Sequence, residues 1–252
     1  DYVAAGEGPQ EILGVVRELK AGHVAPRVVR VSGLLDDLDG AMPGGAWDLL
    51  PMDRYRAHNW HSFDRISERA PYASIHTTLG CPYRCQFCCI QSPFKDAQKG
   101  GGNSYRMWSP SVVGDELQVL TDDYGVRNIK FVDEMFVLPR AHVLGGCDEI
   151  DRRRLGDWLN IWAYARVDTV KDEYLDRLRA SGFRWLALGI ESASKHVRDG
   201  VEKGRFGNEE ILKVVRKVQA AGIHVIGNFI FGLPDDTEAS MQETLALALE
   251  AN

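Results

Sequence analysis

Four of the five cysteines lie within nine residues, at Cys81, Cys85, Cys88 and Cys89, whereas Cys147 stands apart. Disulfides would require an oxidising compartment, and cysteines this close in sequence could not all cross-link a fold. The clustering therefore predicts a metal site. Cys81, Cys85 and Cys88 have the spacing CxxxCxxC, and three thiolates on one tight loop can ligate three corners of a cubane iron–sulfur cluster. The fourth iron would then stay open for another ligand.

A zinc ion is the alternative occupant of the same thiolates. Structural zinc takes four protein ligands in a tetrahedron, so Cys89, Cys147 or His76 would have to supply the fourth. We predict instead that Cys89 and Cys147 are packed bystanders, because a free cysteine behaves as a small hydrophobe.

The composition limits the class of protein that carries this loop. The 252 residues are 44% hydrophobic and 26% charged, which is ordinary globular usage with enough apolar residues for a sizeable core. At roughly 150 residues per domain, this length suits one large α/β domain or a domain with part of a neighbour. Thirty basic and 36 acidic residues give a net charge of −6. No basic tract could follow a phosphate backbone, so we do not expect general nucleic-acid binding.

The sequence also lacks the features of a membrane protein. Its longest apolar runs, such as residues 225–231, are far shorter than the ~18 residues of a membrane span, and its first residues do not resemble a signal peptide. We therefore expect no membrane span and a cytoplasmic protein.

Short β-like runs alternate with amphipathic helical patterns after Pro71. Strands are predicted over residues 74–78, 128–132, 161–166, 185–190 and 224–231. Between and after them, Ser109 followed by Pro110 suits a helix start, and Thr237 opens an apolar helical stripe. This alternation implies a parallel sheet with right-handed crossovers, in which ligands sit at the carboxyl ends of the strands. A closed eight-unit barrel needs about 250 residues, so the pattern leaves either a partial barrel or a doubly wound sheet.

The first seventy residues have a different pattern. An apolar run, a glycine turn and helical apolar spacing over residues 1–20 predict one strand–helix unit. A lone unit cannot bury its own face, so we interpret it as the end of a domain whose earlier part is missing, and the chain as a fragment. Scattered proline, glycine and charged residues predict a linker over residues 21–70, before a core domain over residues 71–252.

The cysteine loop, with the aromatic Phe87 before its last cysteine, resembles the signature CxxxCxΦC of the radical S-adenosylmethionine (SAM) superfamily, in which Φ is aromatic. Later segments resemble that family at the ends of the predicted strands, namely residues 131–136, 164–166, 189–192 and 227–234. The resemblance covers residues 71–252, and the chain stops before a sixth strand. It implies an α/β fold with a partial (β/α) barrel.

The resemblance also implies roles for individual residues. Cys81, Cys85 and Cys88 would hold a [4Fe–4S] cluster. Contacts to SAM would come from Phe87, Asp133, Glu134, Arg166, Glu191, Ser192, Ile230 and Gly232. In the family, the second strand ends in a Gly-Gly-Glu-like stretch that contacts the methionine amine, and here the pair Asp133-Glu134 departs from the glycines of that stretch. A basic residue such as Arg166 often meets the SAM carboxylate, although Arg166 could equally form a structural ion pair with Asp168 or Glu191.

In that family, one electron from the reduced cluster breaks the sulfur–C5′ bond of SAM and yields methionine and a 5′-deoxyadenosyl radical, which abstracts a hydrogen atom. The resemblance therefore implies a small-molecule substrate and an electron donor, either a reductase or a flavodoxin or ferredoxin. The catalytic residues that act on the substrate remain unassigned.

The amino-terminal residues resemble the junction in cobalamin-dependent radical SAM enzymes, where a Rossmann-like cobalamin domain precedes the barrel. The similar segments are residues 6–8 with the following helix, residues 38–39, Pro43, residues 46–52 and Tyr55. They imply cobalamin in the full-length protein and methyl transfer to an unactivated centre, or ring formation or rearrangement. The alternatives are a radical SAM cyclisation or oxidation without cobalamin and, from another class, a non-catalytic protein with an electron-transfer cluster or structural zinc.

Overall fold

A computed structural model describes residues 2–5, 8–30, 34–59, 66–91, 95–96, 102–204 and 206–252. The strands are β1 Val3–Ala5, β2 Val28–Arg30, β3 Tyr72–Ile75, β4 Thr78–Gly80, β5 Lys95–Asp96, β6 Gly102–Asn103, β7 Tyr105–Met107, β8 Asn128–Phe131, β9 Asn160–Arg166, β10 Phe183–Glu191 and β11 His224–Phe229. The helices are α1 Pro9–Lys20, α2 Leu38–Ala41, α3 Pro110–Asp122, α4 Arg140–Arg152, α5 Asp172–Ala180, α6 Lys195–Gly200, α7 Asn208–Ala220 and α8 Glu238–Glu250. Short 3-10 helices lie at Trp47–Leu49, Met52–Arg54, Ile66–Glu68, Cys89–Gln91 and Val167–Thr169.

The main sheet contains five parallel strands in the order β3, β8, β9, β10, β11, so each strand pairs with the next of these along the chain. A doubly wound sheet reverses its strand order at a switch point, whereas a barrel adds its strands in sequence. The uninterrupted order therefore matches a partial barrel and decides between the two architectures that the residue pattern left open. The expected α/β class is confirmed.

Side chains on one face of this sheet form the main core together with the helices. Because successive strand residues point to opposite faces, every second residue enters this core. The fully buried members include Ile129, Ile161, Ala163, Leu186, Leu188, Leu117, Leu178, Ile211 and Val218. On the opposite face, Trp162, Trp185 and Ala187 form a separate small cluster.

Four of the five predicted strands match β8 to β11 within two residues at each end. The first prediction, residues 74–78, is wrong in one respect, because β3 ends at Ile75 and β4 begins at Thr78. The backbone N–H groups of Thr77 and Thr78 donate to the carboxylate of Asp133 at 2.6 and 2.9 Å, and this bonding turns the chain between the two strands. The predicted helix starts are confirmed, since Ser109 accepts from the N–H of Val112 and the Thr237 side chain caps α8.

The amino-terminal unit contains one strand more than the pattern suggested. Strand β2, inside the predicted linker, pairs in parallel with β1 to complete a β–α–β unit around α1. Residues 6–7 of the predicted glycine turn lie outside the described residues. Helix α1 exposes several apolar side chains, of which Ile12, Leu13, Val16 and Leu19 are 41–56% exposed.

The segment from residue 34 to 54 is bound to the main domain. Leu38 and Met52 are buried in its core. The indole Nε1 of Trp108 donates to the carbonyl oxygen of Met42 at 2.7 Å, and the N–H of Gly45 donates to Glu116 at 2.8 Å. This part of the predicted linker, residues 34–54, is thus a strap that packs along β7 and α3. Among the helices of the described ranges, none has the length and apolar character that crossing a bilayer requires.

Candidate functional site

The cysteine loop, residues 81–88, begins directly after β4. Its entry depends on Gly80, which has φ +86°, in the left-handed region where side chains other than glycine are strained. A Cβ at this position would also collide with the carbonyl oxygen of Ser104. The Gly80 N–H donates to the Glu134 carboxylate at 3.2 Å, which fixes the direction in which the chain enters Cys81.

The middle of the loop is attached to the residues that follow α6. The N–H of Gln86 donates to the carbonyl oxygen of Val201 at 3.0 Å, and the Gln86 side chain donates to Glu202 at 3.2 Å. Within the loop, the N–H of Cys88 donates to the carbonyl oxygen of Cys85 at 3.1 Å. Within this loop Cys85 is buried and Cys88 is exposed.

The three predicted ligand cysteines are close enough to influence one another. Burial raises the pKa of the Cys81 thiol, and negative charge on Cys85 and Cys88 raises it further. Burial likewise raises the pKa of the Cys88 thiol. Thiolates that repel one another gain from a shared cationic centre, because coordination to metal deprotonates a thiol outright.

Among the described residues, no three His, Cys, Asp or Glu side chains surround a point that one metal ion could occupy. A cubane cluster makes a different demand, because each thiolate binds a separate iron and the sulfurs stand apart. Three thiolates on one loop fit that demand. Cys147 is fully buried in α4, as predicted, but the prediction that Cys89 is packed is wrong, since its side chain is exposed.

Arg166 ends β9 directly beside the cysteine loop. Its Nε and Nη2 donate to the Asp168 carboxylate at 2.9 and 3.0 Å, so the ion pair with Asp168 is present. Nη2 also donates to the carbonyl oxygen of Lys203, and Nη1 lies 3.5 Å from the Sγ of Cys85. The guanidinium stacks 3.7 Å from the ring centroid of Tyr83. Burial lowers the pKa of Arg166, but the bonds and charge of Asp168 outweigh burial and raise it overall.

Glu191 ends β10 and forms a buried ion pair. Its Oε1 lies 2.6 Å from the Nζ of Lys203, and the two side chains are only 8% and 7% exposed. Glu191 has φ +68°, a strained backbone that persists in proteins where the surroundings enforce it, often at functional sites. Gly189 leaves the room for the pair, because a Cβ there would meet both charged groups. The Lys203 ammonium also lies 6.0 Å from the ring centroid of Phe87, which is 37% exposed.

The sequence did not identify Lys203 as a residue of the site. A buried carboxylate needs a cation, so the expectation that Glu191 ends a buried strand was itself a signal to search for one. Several cations follow Glu191 in the chain, and the sequence does not rank them. The structure selects Lys203, while Arg198 is buried against backbone carbonyls of Ser192 and Phe206.

Asp133 follows β8 and is completely buried. It accepts from the N–H groups of Thr77 and Thr78, and from the Thr77 hydroxyl at 2.6 Å. Burial raises the pKa of Asp133 to about 7, against the opposing effect of these bonds, and the Glu134 charge adds to the rise. The Thr77 hydroxyl also lies 2.9 Å from the Nε2 of His142, whose pKa burial lowers to about 4. Asp133 therefore binds the turn after β3, and its contact with SAM stays a prediction.

Ser192 is bonded to neighbouring protein groups, and its contact with SAM stays a prediction. Its hydroxyl is fully buried, lies 3.2 Å from that of Thr244, and accepts from the N–H of Ser194 at 3.1 Å. The N–H of Ile230 donates to the carbonyl oxygen of Glu191 at 2.8 Å, which ties the chain after β11 to the end of β10. Gly232 is exposed and has φ +83°.

The predicted residues thus meet along one edge of the sheet. The cysteine loop follows β3 and β4, and the carboxyl ends of β8, β9, β10 and β11 bring Glu134, Arg166, Glu191 and Ile230 to the same edge. Parallel α/β sheets bind their ligands at this edge. The arrangement combines three thiols with buried, paired charges.

The radical SAM superfamily profile matches residues 75–248, and the chain belongs to this family. Members of the family use a [4Fe–4S] cluster and SAM. The chain is 28% identical to an uncharacterized methyltransferase of Pyrococcus horikoshii, over 98% of this chain and 52% of that protein. It is 26% identical to the anaerobic magnesium-protoporphyrin IX monomethyl ester cyclase of Cereibacter sphaeroides, over 98% of this chain and 40% of that protein. The chain therefore spans about half, or less, of the length of these relatives.

Among solved structures, the radical S-adenosylmethionine methyltransferase TsrM from Kitasatospora setae, with cobalamin and a [4Fe–4S] cluster bound, superposes with a TM-score of 0.71 at 21% identity. The match covers 98% of this chain and 49% of that one. At this identity the similarity establishes the fold, and it agrees with the sequential order of the strands.

Proposed function

We propose that this chain is the core of a radical SAM enzyme that holds a [4Fe–4S] cluster on Cys81, Cys85 and Cys88 and transfers a methyl group with the help of cobalamin. The observation that carries the proposal is the docking of the cysteine loop at the carboxyl edge of the sheet, where further strand ends supply charged side chains. When bound and reduced, the cluster supplies the electron that cleaves the sulfur–C5′ bond of SAM.

The chain's own residues bind and orient SAM in this proposal. Glu134 accepts from the N–H of Gly80 at the start of the cysteine loop. We assign its carboxylate, in place of that of Asp133, to the methionine amine. Burial raises the pKa of Glu134, and a cationic amine beside it would offset that cost. Glu191 offers Oε2 to the ribose hydroxyls while Lys203 holds Oε1 in place. Phe87, Ile230 and Gly232 border the adenosine and help to exclude water.

Cobalamin and methyl transfer are supported by the amino-terminal unit and by the relatives. The β–α–β unit over residues 3–30 exposes an apolar face on α1, and faces of this kind mark interaction surfaces. We propose that the unit belongs to a Rossmann-like cobalamin domain in the full-length protein, followed by the strap and the core domain. The methyltransferase relatives and TsrM favour methyl transfer to a small-molecule substrate. A cytoplasmic reductase, flavodoxin or ferredoxin would supply the electron.

Ring formation is a second candidate, because the match to the Cereibacter cyclase also spans 98% of this chain. Isotope labelling separates the two reactions. With SAM carrying a labelled methyl group, methyl transfer puts the label into product, whereas a cyclisation leaves it in methionine.

Anaerobic reconstitution with iron and sulfide tests the cluster directly, and adjacent cysteines provide a matched pair. We expect about four irons per wild-type chain and an electron paramagnetic resonance spectrum that changes when SAM is added. Cys88→Ala should lose most of this iron, whereas the exposed Cys89→Ala should retain it. Tight zinc in place of iron, or equal losses from both variants, would contradict the assignment.

SAM binding tests the strand-end residues separately from the cluster. Glu191→Gln should weaken SAM binding at least tenfold, equivalent to about 1.4 kcal/mol, without reducing the iron content. Glu210→Gln, an exposed position on α7, serves as the charge-matched control. Equilibrium binding to the reconstituted protein gives the affinities. Loss of iron in Glu191→Gln would show that Glu191 holds the loop and not SAM.

A further inference from the structure

We propose that Arg166 sets the reduction potential of the cluster by donating a hydrogen bond from Nη1 to the thiolate of Cys85, and that it does not contact SAM. This inference rests on the proposed function, because it requires Cys85 to be a cluster ligand. It also reassigns a residue for which the family resemblance implied a SAM carboxylate contact.

The guanidinium of Arg166 has little capacity left for a further ligand. Nε and Nη2 donate to Asp168 at 2.9 and 3.0 Å, and Nη2 donates as well to the carbonyl oxygen of Lys203. One face of the group is covered by Tyr83, at 3.7 Å from the ring centroid. The side chain is only 4% exposed. The remaining nitrogen, Nη1, points at the Sγ of Cys85 at 3.5 Å.

The surrounding residues leave space for this close approach of Arg166 to Cys85. Gly204 makes room for the guanidinium, because a Cβ there would stand 2.8 Å from Nη2. Tyr83 and Cys85 both belong to the cysteine loop. Arg166, at the end of β9, therefore contacts the loop through the Tyr83 ring and the Cys85 sulfur. The Cys85 sulfur also lies 3.7 Å from the carbonyl oxygen of Glu202, an acceptor that cannot stabilise a thiolate. Nη1 of Arg166 is a donor that can.

A donor in this place favours the reduced cluster. Reduction adds one electron, supplied by a flavodoxin- or ferredoxin-class donor, with no bond made or broken, and part of the added negative charge falls on the cysteine sulfurs. Hydrogen bonds to those sulfurs raise the reduction potential, and a buried site weakens screening by solvent. Asp168 balances the charge of Arg166, but it is 35% exposed and binds Nε and Nη2, whereas Cys85 lies at Nη1. The local dipole therefore points its positive end at the thiolate.

Redox titration of the reconstituted protein, in the absence of SAM, tests the proposal. We expect Arg166→Gln to shift the equilibrium between oxidised and reduced cluster about tenfold towards the oxidised form, which is about 59 mV for one electron. Arg166→Lys keeps the charge without the planar fork and should fall between the two. The matched control is Arg84→Gln, which removes an exposed arginine from the same loop and should leave the potential close to that of the wild type, since solvent screens its charge.

The same variants separate this proposal from the alternatives. An unchanged potential in Arg166→Gln, with a tenfold or greater loss of SAM affinity, would establish Arg166 as the SAM ligand that the resemblance implied and overturn the proposal. An unchanged potential with unchanged affinity would overturn it as well. If the wild type itself assembles no cluster, the proposed function fails first, so the two failures are distinguishable.

A measurement on the wild type does not depend on how the variants fold. In protein labelled with 15N-arginine, pulsed electron paramagnetic resonance of the reduced cluster should show a nitrogen coupling from a nearby guanidinium. The coupling should persist in labelled Arg84→Gln, because Arg84 is not its source. Absence of the coupling in a wild-type protein that holds the cluster would overturn the proposal.

Discussion

Asp133 and Glu191 are both buried carboxylates that follow strands of one sheet, yet their surroundings differ. Asp133 is satisfied by neutral donors from Thr77 and Thr78, and burial raises its pKa to about 7. Glu191 is paired with the ammonium of Lys203 on a strained backbone. The Asp133 carboxylate closes the turn that precedes the cysteine loop. The Glu191 carboxylate holds the ammonium of Lys203 at the carboxyl edge of the sheet. A carboxylate at the end of a strand is therefore assigned by its partners and not by its position alone.

The largest effect should come from removing the partner of Glu191. Lys203→Met leaves a buried carboxylate without its cation, and we expect a loss of about 3–5 kcal/mol in the free energy of unfolding. The double variant with Glu191→Gln should recover much of this loss, because no uncompensated charge remains. Urea unfolding of the cluster-free protein under anaerobic conditions gives both values.

Lys195→Met is the control for that experiment, because Lys195 forms an exposed pair with Asp199. It should cost less than about 1 kcal/mol. A similar loss from both lysine variants would mean that the Glu191 pair is no more than a surface contact, and the contrast with Asp133 would disappear.

A smaller loss of stability is expected from a substitution at Gly80, where the chain enters the cysteine loop. Gly80→Ala places a Cβ against the Ser104 carbonyl at φ +86°, and we expect a loss of about 2–3 kcal/mol with reduced iron uptake. Gly125→Ala isolates the backbone strain, because φ there is +63° and no atom lies within 4 Å of the added Cβ. Its cost should be about 1 kcal/mol with normal iron uptake. Equal costs would show that the approach of Ser104 is unimportant.

A further effect is a pH dependence of stability that Asp133 should produce. The folded-state pKa of Asp133, about 7, lies above its ordinary value of 3.8, so the folded chain holds this proton more tightly than the unfolded chain. The contribution to stability is full below about pH 4 and is lost as the pH rises through 7, by about 1.4 kcal/mol per unit in the middle of the window. Asp133→Asn should remove this slope in urea unfolding curves taken between pH 5 and 7.

The contribution of His142 to stability changes with pH in the opposite direction over the same pH range, so the measurement must allow for it. Its folded-state pKa, about 4, lies below the ordinary 6.5, so its contribution is absent at low pH and grows as the pH rises towards 6.5. Subtracting the curve of Asp133→Asn from that of the wild type isolates Asp133. A difference that stays constant from pH 5 to 7 would refute the raised pKa.

The sequence predicted the strands well because their signals are local. Runs of buried apolar residues define β8 to β11, and the cysteine spacing marks the loop. What it missed depends on contacts between distant residues. The break between β3 and β4 follows from Asp133, 56 positions away from Thr77, and the short strand β2 is recognisable only through its pairing with β1. The sequence indicated that Glu191 needs a cationic partner, but it did not indicate that this partner is Lys203.

Residue roles were harder to predict than residue positions. Arg166 and Ser192 do lie at the strand ends where the family resemblance places functional groups. Their side chains, however, are already bonded to Asp168 and Cys85 in one case, and to Ser194 and Thr244 in the other. A motif fixes where a side chain starts, whereas the packing around it decides what remains free to bind.

Because each strand of the main sheet pairs with the one made before it, the sheet can grow strand by strand as the chain leaves the ribosome. The cysteine loop is synthesised early in this order, and Arg166 follows Cys85 only 81 residues later. Val201 and Glu202, which anchor the middle of the loop, emerge later still. During synthesis the three thiols therefore lack these protein contacts, and we expect cluster insertion to follow the completion of α6 and of residues 201–202.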